Sequence, residues 1–201
     1  MDRSNTSVVV VVSGYPETIV VPEDVRLKVQ AAMTALGDRI TAAGMRAVTH
    51  ARHDPPRDLA RELETLDRQG ARIALWAASG NAPTALSALL RDSPVRVACA
   101  ALLCPFLLDA PGSGAVADAA KQFGFANPTE GKSVGDLRTD VPMLVARAGA
   151  DAFAGLNATL DRFVADALTR DLPLTVINYP AAAHGFAAPD EVIDWVARQL
   201  K

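Results

Sequence analysis

Residues Val8 to Val12 are five consecutive valines, an apolar run with no polar position to turn toward water. A strand with one wet face alternates, so an unbroken β-branched run predicts a strand covered on both sides, as in a parallel sheet. Comparable short runs recur at Met45 to Thr49, Ile73 to Ala77, Arg96 to Leu102, Pro142 to Ala148 and Leu174 to Ile177. Between them the apolar residues fall three and four apart, which predicts helices over Val25 to Ala43, Pro56 to Gln69, Ala82 to Leu90, Gly155 to Arg170 and Asp190 to Leu200. Gly44, Gly70 and Pro94 punctuate their ends. Strand and helix alternating in this way predict an α/β fold, a three-layer α/β/α sandwich with right-handed crossovers and a mostly parallel sheet of about six strands. Phe106 to Asp140 breaks the rhythm, with a short helix expected around Val116 to Phe123 between loop-rich flanks. A connection of that length reads as a small lid or pocket-lining insertion in a single domain spanning residues 1–201.

Composition narrows the function classes. Half of the 201 residues are hydrophobic, enough for a substantial core and incompatible with wholesale disorder. A formal charge of -3 gives no basic footprint for nucleic acid, and no segment reads as a membrane span. The expected partner is therefore a small, uncharged or weakly charged molecule. The opening "MDRSNTS" lacks the charged-then-apolar signature of a secretory signal, and Cys99 and Cys104 are too few and too close for a disulfide framework. Both facts point to the cytoplasm and free thiols.

Two motifs invite a chemical reading, and one fails. Ala126 to Ser133 fits a loose phosphate-loop pattern, but no strand precedes it and "VGDLRTDVP" is a poor helix. The N–H cradle that binds phosphate would be missing, so the match is assigned to a solvated loop. The stretch "ALWAASGNAPTAL" instead places Ser79 between an apolar run and a helix start. Serine there can be a helix N-cap, or a nucleophile if a base takes its proton and a third group orients that base.

Of the three histidines, His184 in "YPAAAHGF" lies just beyond the last predicted strand, the sheet edge at which ligands bind in doubly wound folds. Asp151 in "VARAGAD" also follows a strand, whereas Asp140 precedes one and Asp161 falls within a helix. Ser79, Asp151 and His184 are 72 and 33 residues apart, in the chain order Ser, Asp, His. Surface-turn readings of Asp151 and His184 remain the alternatives. Acyl transfer also needs oxyanion donors. The backbone N–H of Gly80 can supply one, and the loop "SGYPE" after the valine strand another, from Tyr15, because Pro16 has no N–H. That loop can also be a plain tight turn.

His50 and His53 are spaced as a metal pair would be, but no further ligand accompanies them, so they read as loop residues near the pocket rim. Trp76 and Trp195 are expected in the core, and Cys104 as a buried thiol.

Through "SGYPE", "WAASGNAPTAL", "VARAGADAFAGLNATLDRF" and "YPAAAHGF", the chain resembles a serine hydrolase of the α/β-hydrolase superfamily, close to the dienelactone hydrolase-like esterases. The resemblance implies strand order 2-1-3-4-5-6, Ser79 as nucleophile, Asp151 as acid, His184 as base, and Tyr15 and Gly80 as oxyanion donors. It implies small carboxylic esters or thioesters as substrates and neither metal nor organic cofactor.

Three departures stand out. Nothing before Val8 reads as the family's first two strands. A serine occupies the nucleophile position that is cysteine in dienelactone hydrolases, which favours ester or thioester cleavage. Ala77 and Asn81 replace the glycines of the G-x-S-x-G elbow; alanine can substitute and Asn tolerates unusual backbone angles, but a crowded Asn81 side chain is expected to lower catalytic efficiency. These departures keep open a catalytically weak or inactive binding protein on the same fold. A flavodoxin-like flavin module shares part of the strand order, but "SGYPET" is a poor phosphate loop.

Overall fold

The valine run forms strand β1 (Ser7–Ser13), and Val8 to Val12 are each no more than 2% exposed. Val8, Val10 and Val12 point into one core, Val9 and Val11 into another, because successive side chains alternate across the sheet. Full burial of a valine contributes roughly 1.5–3 kcal/mol relative to exposure, so this strand alone anchors both layers. The computed structural model describes residues 6–13, 20–51, 54–109 and 113–201, with only the backbone of His50 and Ala51.

Five further strands, β2 (Arg46–Ala51), β3 (Arg72–Ala78), β4 (Cys99–Leu103), β5 (Met143–Ala148) and β6 (Leu174–Tyr179), complete one sheet in the order β2-β1-β3-β4-β5-β6. All neighbouring pairs are parallel. The helices are α1 (Glu23–Ala42), α2 (Pro55–Arg68), α3 (Ala82–Ser87), α4 (Ala115–Phe123), α5 (Leu156–Thr169) and α6 (Asp190–Gln199). Helices α2, α3 and α5 cover the face with Val8, Val10 and Val12, and α1 and α6 cover the other. This is the expected three-layer sandwich, with the sheet wholly rather than mostly parallel. Trp76 and Trp195 are buried in the α1/α6 layer. Among the described residues no helix is long and apolar enough to cross a membrane.

The departures from the expected boundaries are local. Strand β4 begins at Cys99 rather than Arg96: Ala98 donates to the carbonyl of Ile73, but the ladder with β3 starts only at Cys99. Helix α3 stops at Ser87, short of Leu90, because Ala88 and Leu89 donate to carbonyls three residues back and tighten the last turn. Leu90 then pairs with Leu137 of the long insertion. Helix α1 packs through Leu36 and Ile40 near its C-terminal end, while Leu27 is half exposed.

The insertion holds α4, whose first turn is capped by Asp109 accepting from the N–H groups of Val116 and Ala117. The phosphate-loop look-alike ends in a single 3-10 turn, Val134–Asp136. There Ser133 donates through its N–H and Oγ to Asp136, bonds that hold the Asp136 carboxyl below its ordinary range.

Because every strand is parallel, all C-terminal ends lie along one edge of the sheet. Ser79, Asp151 and His184 follow β3, β5 and β6, so topology alone brings them to the same side.

Candidate active site

Ser79 begins a 3-10 turn, Ser79–Asn81, between β3 and α3. Its φ is +52°, a left-handed conformation that costs a non-glycine residue roughly 1–2 kcal/mol. The turn is held by two donors to the Ser79 carbonyl, the N–H of Ala82 and the N–H of Phe106 at 3.2 Å. A strained residue fixed from both sides presents its hydroxyl at the sheet edge. Ala77 is fully buried in the strand, and Asn81 is half-buried with φ -85° and ψ -11°. Asn81 therefore carries no backbone strain at the second elbow position. The strain sits on Ser79 itself.

Ser79 Oγ and His184 Nε2 are 2.7 Å apart, and His184 Nδ1 lies 2.7 Å from Asp151 Oδ2. The Asp151 side chain is fully buried and that of His184 mostly so. An ionised carboxylate only accepts, so Nδ1 carries the proton toward Asp151 and the Nε2 lone pair faces the serine hydroxyl. The second Asp151 oxygen accepts from the Phe153 N–H at 2.9 Å, which fixes the carboxylate plane. The three residues thus form one hydrogen-bonded line from a buried anion to a hydroxyl.

The loops that carry the acid and the histidine are joined through their backbones. Gly149 donates to the carbonyl of Tyr179 at 2.9 Å, and Ala150 to that of Ala182 at 3.0 Å. A Cβ on Gly149 would lie 2.6 Å from the Pro180 carbonyl oxygen, so only glycine allows this approach. Gly149→Ala is expected to destabilise the fold by about 1–3 kcal/mol, as overpacking against backbone does. A urea titration checks this, through a lower midpoint at unchanged slope.

Gly80 is the second residue of the 3-10 turn, where a backbone donor has no partner within the turn. A Cβ there would come within 2.6 Å of the Phe125 ring, which covers this side of the nucleophile. Tyr15 and residues 14–19 around it lie outside the described residues, as does His53.

Sequence reasoning missed an aromatic shell around the line. The Phe153 ring meets the His184 ring edge-on at 4.4 Å between centroids, and Phe106 packs against Phe125 at 4.9 Å. The only local signal was the position of Phe153 two residues after Asp151, since Phe106 and Phe125 come from the long insertion. Cys104, at the end of β4, is buried with φ +35°, and its Sγ accepts from the Gly185 N–H at 3.4 Å. Burial pushes this thiol above its ordinary value, so it stays protonated beside the line. Burial likewise pushes the Cys99 thiol up to about 12.

The other candidates fall elsewhere. Asp140 is exposed and paired with Arg138, and Asp161 lies on α5 paired with Arg147. His50 is the penultimate residue of β2, opposite Val12. Among the described residues no group of three or more His, Cys, Asp or Glu side chains is placed to hold a metal ion.

A parallel sheet of this strand order is the α/β-hydrolase fold, and here serine, aspartate and histidine follow its strands β3, β5 and β6. Solved structures of that fold superimpose along nearly the whole chain. The carboxylesterase Cest-2923 from Lactobacillus plantarum is 13% identical with a TM-score of 0.63, covering 95% of this chain and 82% of its own. A sugar hydrolase from Lactococcus lactis is 12% identical with a TM-score of 0.69, covering 98% and 91%. Esterase 2 of Thermogutta terrifontis is 14% identical with a TM-score of 0.61, covering 98% and 82%. At such identities the likeness is one of fold. No protein-family profile and no curated protein matches the sequence.

Proposed function

We propose that the protein is a serine hydrolase that cleaves small carboxylic esters or thioesters through an acyl-enzyme on Ser79. The observation that carries this reading is the unbroken hydrogen-bonded line from Ser79 Oγ through His184 to buried Asp151. Likeness of fold to carboxylesterases supports it. A serine in place of a cysteine nucleophile favours ester cleavage over dienelactone hydrolysis.

In the first step His184 Nε2 takes the Oγ proton as Oγ bonds to the carbonyl carbon, leaving a tetrahedral oxyanion. Asp151 stays ionised and stabilises the imidazolium. The backbone N–H groups of Gly80 and Tyr15 are assigned to the oxyanion, each worth on the order of 10²- to 10³-fold in rate at comparable sites. Collapse breaks the bond to the alcohol or thiol, which leaves with the proton from Nε2. Water, deprotonated by the same nitrogen, then attacks the acyl carbon, releases the acid and returns the proton to Oγ. No step draws on a metal or organic cofactor. The insertion around α4 shapes the pocket.

A fluorophosphonate probe tests the reading. One equivalent is expected to label Ser79, with labelling sharply slowed in His184→Ala. A folded wild-type protein that takes up no label would overturn the enzyme reading in favour of a binding protein on a hydrolase fold.

A further inference from the structure

Between α4 and the first turn of α5 lies a cleft of about 440 Å³, within the range of small-molecule sites. Its walls are largely apolar, from Phe106, Ala119, Phe123, Phe153 and Leu156, and among the described residues Asp118 is the one charged side chain that lines it. Phe123 meets Phe153 edge-on at 5.0 Å, and Phe153 meets Phe106 at 6.1 Å. Phe123 is nevertheless 41% exposed, a large aromatic surface left open at the cleft.

Two of these wall residues touch the Ser79–His184–Asp151 line directly. The Phe106 N–H bonds the Ser79 carbonyl, and the Phe153 ring lies 4.4 Å from that of His184. The cleft therefore adjoins the base through the Phe153 ring and the main chain of Ser79 through Phe106. An ester carbonyl at Ser79 that extends past Phe153 would bring one arm onto aromatic faces.

From this arrangement we infer that the cleft is a specificity pocket for esters with a neutral aromatic arm, which lies against the wall formed by Phe106, Phe123 and Phe153. This rests on Ser79 being the nucleophile. Aromatic pairs favour edge-to-face geometry at separations like those already present in the wall. The Asp118 carboxylate disfavours an arm that ends in a carboxylate, since like charges repel.

The experiment compares ethyl acetate, benzyl acetate and methyl phenylacetate as substrates of the full chain. At least one aryl ester is expected to exceed ethyl acetate in kcat/KM by about tenfold or more, the scale on which apolar pockets discriminate. Ala119→Phe, which fills the cleft, is expected to bring that ratio close to one. Phe123→Ala, at an exposed wall position, is expected to lower it as well and serves if Ala119→Phe does not fold.

Equal turnover of all three esters by the wild type would overturn the pocket. So would an aryl preference that survives in the folded variants. Absence of all turnover, together with no phosphonate label on Ser79, would instead overturn the underlying hydrolase reading.

Discussion

Ser79→Ala is expected to lower kcat on a short-chain ester by roughly 10⁶-fold, the scale on which a member of an interdependent Ser-His-Asp set fails. The geometry explains why no neighbour can stand in. Among the described residues Oγ is the one oxygen bonded to His184 Nε2, at 2.7 Å, and the nearby Cys104 thiol is buried, raised in pKa and bonded by the Gly185 N–H. Stability is expected to move the other way in a companion variant. Ser79 is held at φ +52°, and glycine takes that conformation at no steric cost. Ser79→Gly should therefore be about 1 kcal/mol more stable than Ser79→Ala, with the same loss of turnover. Urea midpoints and initial rates for the two variants check both statements. A Ser79→Ala protein that kept more than about a thousandth of wild-type turnover would remove the serine from the chemistry, since the oxyanion donors and binding alone sustain far less than the intact set.

The strain at Ser79 explains why the elbow reads so faintly in the sequence. Glycine at the two flanking positions is one way to fit a sharp strand-to-helix turn. Here Ala77 fits within the buried strand, and Asn81 has an ordinary right-handed backbone. The positions that need glycine lie one step removed: Gly80, beneath Phe125, and Gly149, against Pro180. Neither contact has a sequence signature, because Phe125 and Pro180 come from distant segments.

The sheet was far more legible. An unbroken valine run can be satisfied only between two covering layers, and five strand–helix alternations leave little topological freedom. The same logic located the candidate residues. Ser79, Asp151 and His184 each follow a strand, and a parallel sheet puts such positions on one edge. The joining of the acid-bearing loop to the histidine loop and the aromatic wall were not legible, since both depend on backbone bonds and ring contacts between stretches far apart in the chain. The end of α3 was misjudged for a related reason: Leu90 is drawn out of the helix by its pairing with Leu137.

Asp151→Asn is expected to lower kcat by about 10⁴-fold with little change in KM, because the substitution preserves shape and reverses one hydrogen bond. The two carboxylate oxygens meet two donors, the Phe153 N–H at 2.9 Å and His184 Nδ1–H at 2.7 Å. An asparagine offers one acceptor and one donor group, so it cannot satisfy both. If its oxygen keeps the Phe153 bond, its NH₂ faces Nδ1, which must then be the unprotonated nitrogen. The proton moves to Nε2 and points at Ser79 Oγ, where a lone pair is needed. If instead the oxygen faces Nδ1, the partly buried Phe153 N–H meets an NH₂, which costs roughly 1 kcal/mol, the low end for an unsatisfied donor. The first arrangement keeps the fold and loses the base, the second keeps the tautomer at the expense of stability. A thermal melt close to wild type together with the rate loss identifies the first. A variant that retained full activity would show that Asp151 does not set the histidine tautomer.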